Sequence, residues 1–392
     1  MIIKTLLDTD LYKLTMQQAV LHRFPEALAE YRFASRSQNV DIRPFVEEIR
    51  DEIDALCSLT FTRDEIDFLA SLPYFAPGYL ASLAGFRLSP DAVTIEADPA
   101  FRLTVRGNWQ QTILFEVPLL AIINEVYCRN TYPMSKMRRQ EGERRLLDKC
   151  HVIRQSDIPL RISEFGTRRR YSRDWQSHVV ETLARETGSS LAGTSNLADA
   201  RRLNLTPVGT MGHEFLQAFQ VLAPLALSQK IALQTWQDEF RGDLGIALSD
   251  VIGIDAFLAD FDGHLAKAYD GARHDSGDPV AWGERLVAHY ESLGIDPTSK
   301  TAVFTDSLTI ADAQRIARHF AGRIRATFGI GTHLTNDFDF DAPQIVIKMV
   351  RCNDWPVAKL SDSPGKTLCD DALYLALLRK LFARSAARQR PD

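Results

Sequence analysis

The sequence contains no Cys-x-x-Cys pair, no His-Glu-x-x-His, no Gly-x-Ser-x-Gly elbow and no Gly-x-x-x-x-Gly-Lys-Ser/Thr loop. Its five cysteines, Cys57, Cys128, Cys150, Cys352 and Cys369, are odd in number and far apart. That pattern excludes a disulfide framework or a zinc site and points to a reducing, cytoplasmic compartment. None of the nine histidines stands at zinc-ligand spacing, which removes the metalloprotease class. Any use of ATP must proceed without a Walker loop. Positive charge is not in excess either: 46 Lys and Arg face 51 Asp and Glu, for a net charge of -5. A nucleic-acid or membrane-surface partner would normally demand the opposite balance, so any phosphate binding must be local. No stretch reads as the roughly 20 apolar residues of a membrane span. No signal-peptide pattern precedes the first helix.

What is present is ordinary in bulk, with 45% hydrophobic and 25% charged residues over 392 positions, enough for two domains or one large barrel with an appendage. Asp8-Thr9-Asp10-Leu11-Tyr12-Lys13 opens an amphipathic helix to about His22, with aspartates to cap it. Arg43-Pro44 starts a second helix with Val46, Ile49, Ile53 and Leu56 inward, and Thr62 with Glu65 forms a capping box for a third. The period then changes to alternation at 93–95 and 101–105, and Gly107-Asn108 turns into an expected strand at 109–117. Residues 1–125 therefore read as an α+β domain. Two long helices follow, and apolar strands then alternate with helices: 160–165, 244–248, 301–305, 324–328 and 344–350. Such βα alternation implies a parallel sheet, open or closed into a barrel, over residues 126–392, with function gathered at the strand C-terminal ends.

The polar motifs fall at those ends. In residues 206–215 two glycines and two threonines lead into a helical face of Phe215, Leu216 and Phe219, placing His213 at a helix start. Unpaired N–H groups and the positive end of the helix dipole there favour anions and a neutral imidazole, although a polar helix start alone would explain the residue. Glu164-Phe165-Gly166-Thr167-Arg168-Arg169-Arg170 follows a strand, and guanidinium forks there bind carboxylate or phosphate, for one or two of the three arginines. Gly193-Thr194-Ser195-Asn196 offers N–H and hydroxyl groups to phosphate or ribose. Asp250 and Asp306 each end an apolar strand, which suits Mg²⁺ or a ribose hydroxyl as well as a helix cap. Arg273-His274-Asp275-Ser276-Gly277-Asp278-Pro279 is denser. Asp278-Pro279 is explained as a helix start, but Arg273 and Asp275 have no such structural need. Gly329-Ile330-Gly331 resembles a phosphate-cradling turn without being a dinucleotide fingerprint. The segments 359–362 and 364–366 read as surface loops.

Taken in order, residues 7–13, the Phe165 to Arg170 segment, the Thr194-Ser195 turn, the His213 loop and the Arg273 to Pro279 run resemble the nicotinate phosphoribosyltransferase family. The resemblance implies an N-terminal α+β domain on an irregular α/β barrel, and homodimers whose active sites are shared between subunits. It implies conversion of nicotinate and phosphoribosyl pyrophosphate to nicotinate mononucleotide and pyrophosphate, with Mg²⁺ and with ATP as co-substrate. By the same analogy His213 is autophosphorylated, Phe165 and a neighbouring subunit's Tyr12 sandwich the pyridine ring, and Arg168 and Arg273 hold anionic groups. Asp250, Asp275 and Asp306 serve ribose and Mg²⁺, with no direct metal ligand assigned; Thr194 and Ser195 contact substrate, and Gly329 and Gly331 hold the 5′-phosphate. Rival readings are a transferase for nicotinamide or quinolinate, the latter needing no ATP, and a nucleotide sensor without turnover. The concentration of Arg, Asp and His at strand ends disfavours the sensor.

Overall fold

The structure, a computed structural model, describes the chain except Gln38, Pro364, Gly365, Lys366, Leu368, Asp370 and residues 388–392, and gives no side chains for 384–387. The loop expected at 364–366 lies outside the described residues, as does the end of the tail. In chain order the strands are β1 (Leu28–Ser35), β2 (Val93–Glu96), β3 (Arg102–Asn108), β4 (Ile162–Glu164), β5 (Leu191–Thr194), β6 (Ile246–Leu248), β7 (Gly271–His274), β8 (Thr301–Phe304), β9 (Arg325–Ile330), β10 (Ile345–Cys352) and β11 (Trp355–Pro356). They form two sheets. A five-stranded antiparallel sheet has the order β11-β10-β1-β3-β2, and a six-stranded parallel sheet has the order β5-β4-β9-β8-β7-β6.

Several elements form for the reasons the sequence offers. Thr62 caps the helix Arg63–Ala70 in a reciprocal box with Glu65, and Thr309 does the same with Asp312 for Ile310–Phe320. Val46, Ile49, Ile53 and Leu56 are buried on the helix Val46–Cys57. Asp278 caps Pro279–Ser292 through the Ala281 N–H at 2.7 Å.

Other expectations are corrected. The segment 344–350 becomes β10, which pairs antiparallel with β1 (Ala29 against Cys352, Ser35 against Ile345) and not with the parallel sheet. Six of its eight residues are buried, on both faces of the strand, so it imitates a core strand of a parallel sheet although Lys348 and Arg351 interrupt its apolar run. Residues 109–117 fold as helix, not strand: Trp109–Thr112, a short 3-10 turn and then Glu116–Thr131. Burial all round erased the periodicity that separates the two states. The stretch Trp109–Thr131 also reaches the length and hydropathy of a membrane span, contrary to the sequence reading, but 89% of its apolar window is buried inside the protein. The first helix, Leu11–Arg23, is buried on nearly every side instead of being amphipathic, and Asp10 at its start makes no capping bond.

The outer strands of the parallel sheet are connected through the His213 loop. Val208 N–H donates to Thr194 O at 2.9 Å beside β5, and the Thr210 hydroxyl donates to Ile246 O at 3.0 Å on β6. The first helix is pinned beneath the same loop, with Leu11 N–H on Ser195 O at 2.8 Å.

One buried ion pair fastens the N-terminal lead-in to the parallel-sheet half. Arg170 grips both oxygens of Asp8, at 2.6 and 2.8 Å, and both side chains are at most 2% exposed. Burial alone would raise the Asp8 pKa, yet the Arg170 guanidinium holds it below its ordinary value. Arg170→Ala leaves that carboxylate buried and unpaired, and the expected loss of stability is about 3–5 kcal/mol. An unchanged urea midpoint in the variant would overturn this account.

Candidate active site

A cavity of about 420 Å³ opens at the C-terminal ends of the parallel strands, and β10 of the other sheet walls it with Val346, Ile347, Lys348 and Met349. Of the residues singled out in the sequence, Tyr12, Phe165, Arg168, Ser195, His213, Arg273, Asp275, Asp306, Gly329 and Gly331 all line it. Asp250 and Thr194 stand behind the wall. Thr194 donates its hydroxyl to the buried Glu164 at 2.6 Å, and Asp250 accepts from the Ser276 hydroxyl at 2.7 Å.

His213 is the first residue of the helix His213–Leu222. Its Nε2 lies 2.9 Å from Asp250 Oδ1, 3.2 Å from Asp275 Oδ2 and 2.7 Å from Lys359 Nζ. Lys359 reaches Asp250 Oδ2 at 2.5 Å as well. Among the described residues no hydrogen bond is made to Nδ1. Burial, and then the Lys359 ammonium, push the imidazole down to about 4 against the pull of the two aspartates, so it is neutral at physiological pH. The ligand atoms of His213, Asp250 and Asp275 lie within 4.8 Å of one another, a metal-like spacing. The Lys359 ammonium already supplies the positive charge among them, so the cluster is a balanced hydrogen-bonding centre and not an all-protein magnesium cage. Lys359, assigned to a surface loop from sequence, is thus buried at the centre of the site.

The two aromatic residues are placed by glycines. A Cβ at Gly212 would come 3.1 Å from the Tyr12 ring, and one at Gly329 would come 2.5 Å from the Phe165 ring. Tyr12 lines this cavity, and the first helix that carries it is tied to the Ser195 turn through Leu11 N–H. Of the three consecutive arginines, Arg168 and Arg169 face the cavity while Arg170 is structural. Arg168 is held firmly cationic by Tyr12, with Glu116 and Asp10 adding to the effect. Its Nη1 lies 3.5 Å from Glu116 Oε1. Among the described residues the buried Arg273 Nε has no hydrogen-bond partner, as is also true of the structural Arg170 Nε.

Sequence reasoning missed Arg36, Glu116, Lys348 and Lys359, all of which line the cavity. Arg36 and Lys348 arrive from the antiparallel sheet or its margin, which no local motif announces. Burial lowers Lys348 to about 8. Beneath the floor, Lys13 is fully enclosed, 2.5 Å from Glu116 Oε2 and bonded to Glu214 Oε1, while the Tyr31 hydroxyl donates to Glu214 Oε2.

The pKa of His213 offers a direct check. In Lys359→Met the nearest positive charge is gone and both aspartates remain, so the imidazole should titrate well above 4. Histidine-labelled NMR reads this; a value still near 4 would mean that burial alone sets it.

Comparison with known proteins agrees with this geometry. The profile of the Nicotinate phosphoribosyltransferase (NAPRTase) family matches residues 160–386, and that of the NAPRTase N-terminal domain matches residues 7–124. The chain is 52% identical over 390 residues to the nicotinate phosphoribosyltransferase of Bordetella petrii, covering 97% of this chain and 99% of that one. It is 53% identical over 387 residues to that of Xanthomonas campestris pv. campestris strain B100, covering 97% and 96%. The crystal structure of nicotinate phosphoribosyltransferase from Vibrio cholerae superposes with a TM-score of 0.93 at 37% identity, over 99% of this chain and 97% of that one. With arginines, aspartates and a neutral histidine converging at the ends of its parallel strands, the chain belongs to the nicotinate phosphoribosyltransferase family.

Proposed function

We propose that the chain transfers the 5-phosphoribosyl group of phosphoribosyl pyrophosphate to nicotinate, giving nicotinate mononucleotide and pyrophosphate in NAD biosynthesis, and couples this to ATP hydrolysis through a phosphohistidine at His213. The observation that carries the reading is the neutral, buried His213 held by Asp250 inside an arginine-lined cavity. Tyr12 and Phe165 sandwich the pyridine ring, and Arg168 meets its carboxylate. Arg273, with its unpartnered Nε, and the Gly329 to Gly331 turn take the phosphates. Ser195 contacts the substrate from the cavity wall, and Thr194 holds that turn from behind.

Breaking the bond from the anomeric carbon to pyrophosphate passes through an oxocarbenium-like state, so the protein must stabilise departing negative charge more than supply a base. Asp275 and Asp306 present carboxylates to the ribose hydroxyls and would hold a Mg²⁺ ion, which when bound would supply positive charge to the leaving pyrophosphate. For phosphoryl transfer, the neutral imidazole offers a ring-nitrogen lone pair that attacks the γ-phosphorus as ADP departs. Water later cleaves the N–P bond and releases phosphate. We further propose an irregular barrel over residues 126–392 closed through the His213 loop, an N-terminal domain over 1–125 whose sheet takes in β10 and β11, a homodimer, and a cytoplasmic setting that keeps the five cysteines reduced.

Three pyridines decide among the transferases. Mononucleotide should form with nicotinate, far more slowly with nicotinamide or quinolinate, and faster with ATP; ATP-independent turnover of quinolinate would overturn the assignment. His213→Ala should lose the ATP stimulation and the acid-labile label from γ-labelled ATP while retaining slow synthesis. In the intact enzyme, labelling should hold level from about pH 8 to about pH 5 and fall only as the imidazole takes a proton near 4. A loss of labelling near pH 6.5 would show that His213 is not held neutral.

A further inference from the structure

Lys359, the cation at the centre of the site, lies just past the short strand β11, so its place depends on what grips the chain on either side of it. On the near side the grip is Gln220, a buried residue of the helix His213–Leu222. Its amide nitrogen donates to Ala358 O at 2.7 Å, its amide oxygen accepts from Ala358 N–H at 2.9 Å, and the Tyr374 hydroxyl donates to the same oxygen at 3.1 Å. One side-chain amide thus satisfies both backbone polar groups of the residue before Lys359, as a neighbouring strand would. On the far side Leu360 N–H donates to Val251 O at 2.7 Å, and Asp362 N–H donates at 3.1 Å to the Ser276 hydroxyl, which in turn donates to Asp250. Between the two grips the Lys359 ammonium lies 2.7 Å from His213 Nε2 and 2.5 Å from Asp250 Oδ2.

We propose that Gln220 is a positioning residue, which sets Lys359 against His213 from the same helix that carries His213. The proposal rests on the reading of Lys359 as part of the active site. His213 and Gln220 stand about two turns apart, so they share one face of their helix. The helix, the Gln220 amide, Ala358 and the Lys359 side chain then close a ring of contacts that returns to the imidazole, and its non-covalent links are hydrogen bonds of 2.7–2.9 Å. Lysine has a long, flexible side chain, and its ammonium keeps one position more readily where its backbone is fixed. Without the amide, Ala358 N–H and O would be left without those partners at a residue that has no exposure, which favours an outward shift of the segment toward water. Gln220 does not line the cavity, so its effect on the reaction passes through Lys359.

The test acetylates amines in the folded, full-length protein with an N-hydroxysuccinimide ester and follows Lys359 by peptide mass spectrometry, with the fully enclosed Lys13 as an internal check on folding. Both should resist in the wild type. In Gln220→Leu, Lys359 should label about tenfold faster while Lys13 stays protected. Gln220→Glu, which sets a carboxylate oxygen against Ala358 O, should give the same result and serves in its place if the leucine variant exposes Lys13 too. A second arm measures kcat for mononucleotide formation from nicotinate with ATP. Gln220→Leu should lower kcat about tenfold in the wild-type background and less than about twofold in Lys359→Met, where the residue through which it acts is already gone. A Lys359 still protected in both Gln220 variants would overturn the proposal. So would an equal fall in kcat with and without Lys359, the signature of a merely structural role. An unchanged kcat in Lys359→Met alone would instead sink the reading of Lys359 as part of the site, and the labelling would still decide for or against the grip of Gln220.

Discussion

A buried lysine sharing two carboxylates with one imidazole is the constraint on which the site is built. Burial first, and then the Lys359 ammonium beside Asp250 and Asp275, keeps His213 from taking a proton that the same aspartates would otherwise stabilise. A neutral imidazole keeps a ring-nitrogen lone pair, which an imidazolium lacks. The Lys359 ammonium also makes the cluster a poor resting place for a free divalent ion.

This arrangement needs both sheets. His213, Asp250, Asp275 and Arg273 come from the ends of the parallel strands, whereas Lys348 and the backbone leading to Lys359 come from β10 and the chain just beyond it. The first helix lies between the halves, and for that reason its polar residues are inside: Lys13, Gln17 and Gln18 are all buried, Lys13 and Gln18 reach Glu214 and Glu239 of the second half, and Gln17 bonds to Gln110 O of the first. Buried charge fastened on several sides tolerates little displacement. The cavity is accordingly preorganised, as stabilisation of a short-lived cationic sugar requires.

Much of the site was legible in the sequence because turns at strand ends are local. The Phe165 to Arg170 segment, the Asp250 strand end and the Arg273 to Pro279 run each announce themselves within ten residues, and the capping box at Thr62 fixes a helix start. What remained hidden was long-range. Lys359 looks like part of an exposed loop because nothing near it in sequence reveals Asp250 and His213 as neighbours. The run 344–350 reads as another parallel strand because burial on both faces removes alternation, and only pairing with β1 tells otherwise.

The pairing of β1 with β10 also sets the order in which the molecule can be completed. Ala29 leaves the ribosome early but finds its partner only when Cys352 has been made, so an inner strand of the first sheet keeps an open side through most of synthesis. A chain cut short anywhere before residue 345 would present that open edge permanently, with Ala29 and Tyr31 uncovered beside it. Incomplete copies thus carry their own mark for chaperones and proteases, and only full-length synthesis conceals it.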